Sequence, residues 1–169
     1  MEKISSNLYN PFKIKTYDNK AYFITFLNKN SQYLKVRLLA NKTKVYSIFL
    51  EFKTTAKNNL KGYKIKVFQY NNGTKYKTLH KYLRKKGIII QLNPPYTPKS
   101  NRLPERINRT IMTKVQAILI KSNAPKYLWG KAILATIYIY NKTPHNTLNF
   151  KTPYKIKHNK KPNINNIKI

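Results

Sequence analysis

Residues 87–106 read GIIIQLNPPYTPKSNRLPER, a passage out of one helix, through a strand and a loop, into a second helix. Lys85 and Lys86 precede it and close a helix whose apolar stripe is Leu79, Tyr82 and Leu83. Basic side chains in a last turn suit the negative end of the helix dipole. Gly87 then lets the chain leave with a positive φ. The run IIIQL, 88–92, predicts a buried strand, being short, apolar and rich in β-branched residues. The prolines in NPPYTPKSN, 93–101, exclude both a helix and a central strand there, because proline lacks the N–H that either ladder needs. Beyond the loop, Glu105 falls in the first turn of a helix with the stripe Ile107, Ile111, Val115 and Ile118.

Working outward, Trp129, Ala132, Ile133, Ile137 and Tyr140 recur at helical spacing and predict a second long C-terminal helix. Upstream, AYFITFL (21–27) and YLKVRLL (33–39) read as the two strands of a hairpin, joined by the turn-rich NKNSQ. Val45, Ile48, Phe49 and Phe52 predict a helix within 42–59. KIKVFQ (64–69) predicts a strand ending in the turn Asn71-Asn72-Gly73. A strand at the very start completes the order. Strands alternating with crossover helices give an α/β sheet covered on its faces. From about residue 157 the chain turns polar and reads as a tail, so the expected division is a single core domain over 1–157 and a basic tail over 158–169.

The charge is the outlier in the composition. Thirty-five Lys and Arg stand against four Asp and Glu, for a formal net charge of +31. Such a chain binds polyanions, DNA or RNA above all. Two origins of the charge stay open. It can be a selected binding surface, or it can follow from drift toward AT-rich codons, since nearly all the excess is Lys and about half the chain is Lys, Asn, Ile, Tyr and Phe. With no cysteine the chain has neither disulfides nor Cys-ligated zinc, which points to a reducing compartment. No apolar run approaches the roughly 18 residues of a membrane span, and no secretory signal opens the chain, so the expected location is nuclear or cytoplasmic, away from membranes.

The stretch from Gly87 to Arg106 resembles the integrase-core signature of copia-type retrotransposons, with Pro-Tyr-Thr-Pro followed by a segment ending in Glu-Arg. INRTI (107–111), YLWGKAILATIYIYNKTPHNTL (127–148) and KTPYKI (151–156) resemble that family's downstream helices and closing Thr-Pro segment. AYFITFLNKNSQYLKV resembles its second and third strands, and SNLYNPF (6–12) the end of its first. The resemblance spans about residues 4–157. It implies a ribonuclease H-like fold, a mixed sheet flanked by helices with two long C-terminal helices. It also implies a polynucleotidyl transferase that joins a freed 3′-hydroxyl to target DNA using Mg²⁺ or Mn²⁺, and a possible homodimer.

That chemistry rests on two divalent ions roughly 3.5–4 Å apart, held by carboxylates from different elements. By the resemblance, Glu105 occupies the position of the catalytic Glu, while Asn7 and Asn71 stand where the family has its two Asp. Asn28 stands at an accessory acidic position. An Asn keeps the shape and a carbonyl oxygen but loses the charge, so metal binding is expected to be weak or lost and catalysis with it. Bland alternatives stand beside these readings: Glu105 complements a helix dipole, and Asn-Gly is a common turn pair. Lys75 and Arg102 also depart from the family pattern, and all these changes are of the kind a G-to-A substitution produces. The expectation is a decayed copy.

Lys99, Arg102, Arg106 and Arg109 cluster near Glu105 in sequence and are candidate phosphate contacts, or simply a solvated basic face. His80, His145 and His158 lack metal-ligand spacing and read as packing or surface residues. There is no Gly-rich phosphate loop and no zinc-finger pattern. The expected function is an integrase-core-like, nucleic-acid-binding protein without catalysis. A domesticated DNA- or RNA-binding or multimerisation module is the rival reading.

Overall fold

The computed structural model describes residues 2–9, 11–59, 62–71, 76–93 and 102–165, with 59, 71, 93, 102 and 103 as backbone only. Five strands form one mixed sheet: β1 (Glu2–Leu8), β2 (Tyr22–Asn28), β3 (Leu34–Leu39), β4 (Ile65–Asn71) and β5 (Ile89–Asn93). Their spatial order is β3-β2-β1-β4-β5. β1 runs antiparallel to β2, as does β2 to β3, whereas β4 and β5 lie parallel to β1. Helices α1 (Val45–Asn59) and α2 (Lys77–Lys85) make the crossovers. α3 (Arg102–Lys121), α4 (Trp129–Lys142) and α5 (Pro153–His158) close the chain.

The period-two alternation of the strands builds a core on each face. On β2, Ile24 and Phe26 point toward α1 and α2, while Phe23 and Leu27 point toward α3 and α4. The first core is aromatic, with Phe26 stacked on Phe52 at 4.4 Å and Phe49 meeting Phe68 edge-on at 4.8 Å. The second takes in the predicted stripes, Ile107, Ile111 and Val115 of α3 against Trp129, Ile133 and Ile137 of α4. Burying one such side chain contributes roughly 1.5–3 kcal/mol.

The helix stop at Gly87 folds as read. Gly87 takes φ +65°, its N–H donates to the Arg84 carbonyl, and the Ile88 N–H donates to Leu83. These two bonds cap α2 with a residue that only glycine supplies without strain. The strand after it needs correction. β5 is the edge strand, not a buried one. Ile88 is buried and Ile90 packs against the first core, but Ile89 is 52% exposed and Leu92 40%. A continuous apolar run hides the alternation that would have marked it as half-covered.

Two side chains tie distant segments to this frame. Asn141 of α4 pairs both backbone groups of Leu34, accepting from its N–H at 2.9 Å and donating to its carbonyl at 2.8 Å. Trp129 stacks on Phe12 at 4.0 Å and donates its indole N–H to the Ile14 carbonyl. Near the C-terminus, His158 ends α5 and its ring packs against Tyr33 and Tyr154.

Candidate active site

Parallel neighbours end at the same edge of a sheet, and that edge is where such sheets place ligands. β1 and β4 are parallel neighbours, with Ser5 level with Gln69, so the chain ends of both strands, at Asn7 and Asn71, fall at one edge. Asn71 in turn pairs with Asn93, the last residue of β5. The Pro-rich loop that leaves β5 lies outside the described residues, as do Lys75 and Lys99. The chain re-enters at α3, whose first turn carries Glu105.

Asn7 and Glu105 line one open cleft of about 460 Å³, together with Tyr9, Asn108, Arg109 and Gln116. Glu105, Asn108, Arg109 and Gln116 share a face because residues three and four apart on a helix are neighbours. Across the cleft, Asn7 lies on the same side of β1 as Ser5 and Tyr9, opposite to Ile4 and Leu8 of the first core. Tyr9 is fixed by stacking on Phe23 at 4.7 Å, and Thr25, which pairs with Asn7 across the strands, donates its hydroxyl to the Asn7 carbonyl.

The cleft is polar at its base. Asn108 is 5% exposed and, among the described residues, its Nδ2 has no hydrogen-bond partner. Asn108 was not singled out by the sequence reading, although its place one turn after Glu105 in INRTI was the available signal.

The basic residues divide between two sites. Arg109 faces the cleft with Glu105. Arg106 lines a second cleft on the adjoining flank of α3, with Lys114, Tyr140 and His145. Arg102 opens α3. Asn28 does not belong to the site. It pairs with Ile4, three residues back along β1 from Asn7, and so lies at the opposite edge, roughly 10 Å away along the strand. An antiparallel strand ends where its neighbour begins, so the accessory acidic position expected at Asn28 lies away from the cleft of Asn7 and Glu105. The histidines do pack: His80 hydrogen-bonds the Tyr70 hydroxyl at 2.8 Å, and His145 contacts the Tyr140 carbonyl at 3.1 Å.

The donor set does not fit a pair of divalent ions. The chain has four acids, and three are engaged elsewhere: Glu2 with Asn28, Asp18 with Thr16 and Lys20, and Glu51 with Arg37. The cleft therefore holds one carboxylate, Glu105, beside the amides of Asn7 and Asn108. Among the described residues no three His, Cys, Asp or Glu come together. Two dications facing one negative charge are not neutralised by neutral amides.

The five-stranded mixed sheet with its flanking helices is the fold of integrase catalytic cores. Solved structures agree in fold. The HTLV-2 integrase catalytic core in complex with magnesium (trimeric form) superposes with a TM-score of 0.66 over 92% of this chain and 95% of its own, at 17% identity. The BIV integrase core gives 0.63 over 91% of each chain, at 15% identity. The simian T-cell lymphotropic virus intasome, solved with the PP2A regulatory subunit B56 gamma, gives 0.70 at 18% identity, over 92% of this chain and 53% of that one. In sequence, the chain is 30% identical over its whole length to the retrovirus-related Pol polyprotein from transposon TNT 1-94 of Nicotiana tabacum. It is 28% identical over 92% of its length to those from transposons RE1 and RE2 of Arabidopsis thaliana. No family model matches. The chain is thus similar in fold to integrase catalytic cores, and its homologues in sequence are Pol polyproteins of copia-type plant transposons. It spans 13% of the length of the first of these relatives and 11% of the other two.

Proposed function

We propose that this integrase-core-like chain binds nucleic acid and does not catalyse strand transfer. The observation that carries this reading is the composition of the cleft. The two elements that meet there bring one carboxylate, at Glu105, and an amide at Asn7. Asn71, at the end of the neighbouring parallel strand, adds no second charge. Asn keeps the size of Asp without its charge, so two of the three anionic ligands that the family resemblance implies are missing and Mg²⁺ or Mn²⁺ binding goes with them.

The remaining activity is phosphate binding. The net charge of +31 and the exposed Arg109 and Arg106 beside the two clefts support it, with affinity that falls steeply with salt. The partner is DNA or RNA, in the nucleus or cytoplasm, and the core of residues 1–157 pairs with a second copy as the resemblance implies. Among the described residues no helix is long and apolar enough to cross a membrane. The substitutions at 7 and 71 share one direction, Asp to Asn, which supports a copy that decayed by G-to-A change.

The test is cleavage and joining of a branched DNA substrate in Mg²⁺ and in Mn²⁺. The natural chain is compared with Asn7→Asp/Asn71→Asp, and with that double revertant carrying Glu105→Gln. The expected result is a silent natural chain, an active revertant and loss of activity on removing Glu105. Glu105-dependent cutting by the natural chain would overturn the reading.

A further inference from the structure

The loss of carboxylates changes the sign of the cleft as well as its metal affinity. A carboxylate site repels a phosphate until a cation bridges the two. With amides in place of carboxylates, that repulsion falls and N–H donors appear, since each Asn amide carries two donor hydrogens. We propose that the cleft holds a nucleic-acid phosphate directly, without a divalent ion, through Asn7, Asn108 and Arg109. The inference rests on the nucleic-acid-binding reading above and gives that reading a location.

Three features meet here. Asn108 is buried, and among the described residues its Nδ2 has no acceptor. The Nδ2 itself is sealed from solvent, so it meets a phosphate oxygen when the amide turns toward the cleft, and that turn pairs a donor that is otherwise buried at a cost. Arg109, one residue on, faces the same cleft and is exposed, so its planar fork can meet two phosphate oxygens at once. The cleft is also open, with room for a phosphate and its sugar in about 460 Å³. Glu105 opposes the rest. It is the one anion lining the cleft, and its charge counts against a phosphate placed there.

The effect of removing the Glu105 charge has opposite signs in the two kinds of site. In a metal site, replacing Glu105 weakens binding of the nucleic acid, because the bridging ion is lost. In a direct site, the same change strengthens it. The experiment measures the affinity of a short fluorescent DNA duplex with an overhanging end, by anisotropy, in EDTA and then in Mg²⁺ at matched ionic strength. Glu105→Gln is expected to tighten binding about threefold to tenfold in EDTA, and Arg109→Ala to weaken it about tenfold. Arg84→Ala, an equal loss of charge on exposed α2, should change affinity by about twofold or less. Asn7→Asp should weaken binding in EDTA, and Mg²⁺ should leave the natural chain unaffected. Both Glu105 and Arg109 are exposed, so these variants keep the fold. As a second readout, the side-chain amide NMR signals of Asn7 and Asn108 should move on adding the duplex in EDTA.

The proposal is overturned if Glu105→Gln weakens binding, if Arg109→Ala and Arg84→Ala behave alike, or if binding needs Mg²⁺. The two readings fail separately. A chain that binds duplex with its cleft variants inert defeats the phosphate site alone. One that does not bind nucleic acid defeats both.

Discussion

At the two ends of β1 the same residue type serves opposite purposes. At the starting edge of the strand, Asn28 of β2 is 3% exposed and fully employed. Its Oδ1 accepts from the N–H groups of Asn30 and Ser31 at 2.9 and 3.1 Å, and its Nδ2 donates to Glu2. It closes the β2–β3 turn from inside, as Asn does when its side chain mimics a backbone turn. At the finishing edge, Asn7 looks into an open cleft beside Asn108, whose buried Nδ2 finds no acceptor among the described residues. Polar groups that satisfy one another hold a fold together. Polar groups left facing a cavity have been kept for something that enters it, or have lost what once did.

The sharpest way to break this contrast is alanine at each position. Asn28→Ala removes three hydrogen bonds from a buried site and leaves two backbone donors and Glu2 without their partner. It should cost about 2–4 kcal/mol of unfolding free energy in a urea titration. Asn7→Ala should cost less than about 1 kcal/mol. Equal costs at the two positions would mean that Asn7 is structural too, and that the cleft is ordinary packing.

How much of this could be read beforehand follows from what kind of signal each residue carries. The stop at Gly87 and the stripes of α3 and α4 are local and periodic, and sequence reports them directly. Glu105 and Asn7 came from resemblance, and they do meet across one cleft. Asn28 was misassigned because the side of the sheet on which a strand ends depends on pairing direction, which no local pattern encodes. Asn108 escaped notice because a buried, unpaired amide in a helix looks in sequence like any polar residue beside an apolar stripe. Lys157 and His158 read as the start of a polar tail, yet their part-buried side chains lie over Tyr33.

Lys157 sharpens the contrast at the starting edge. Its ammonium lies 4.2 Å from the Tyr33 ring centre. Burial, then repulsion from Lys35, depress its pKa from 10.5 to about 8, with Glu2 pulling the other way. The folded chain therefore releases this proton near pH 8, while the unfolded chain keeps it to about 10.5. In that window the unfolded state binds more protons, so stability rises with pH. Above about pH 10 the trend reverses. Burial raises the pKa of Tyr63, Tyr76 and Tyr140, so the folded state holds their protons after the unfolded state has begun to lose them. Thermal melts should show Tm climbing from about pH 8 to 9.5, and Lys157→Met should raise Tm at pH 7 and flatten that climb. An unchanged slope in the variant would place its source elsewhere, in the general relief of a +31 chain.

The smallest expected effect tests the finishing edge most directly, because stability and binding should move in opposite directions. Asn108→Leu removes an amide whose Nδ2 is buried without a partner and puts an apolar group of similar size against Met112 and the second core. Replacing an unsatisfied polar group in this way should raise unfolding free energy by about 1 kcal/mol. The same variant should lose affinity for duplex DNA in EDTA, as Arg109→Ala does. Stability gained with binding lost is the behaviour of a residue kept for a ligand at the fold's expense. If Asn108→Leu loses stability instead, the amide is supporting the packing of α3 on β1, and the cleft's polar floor is part of the scaffold.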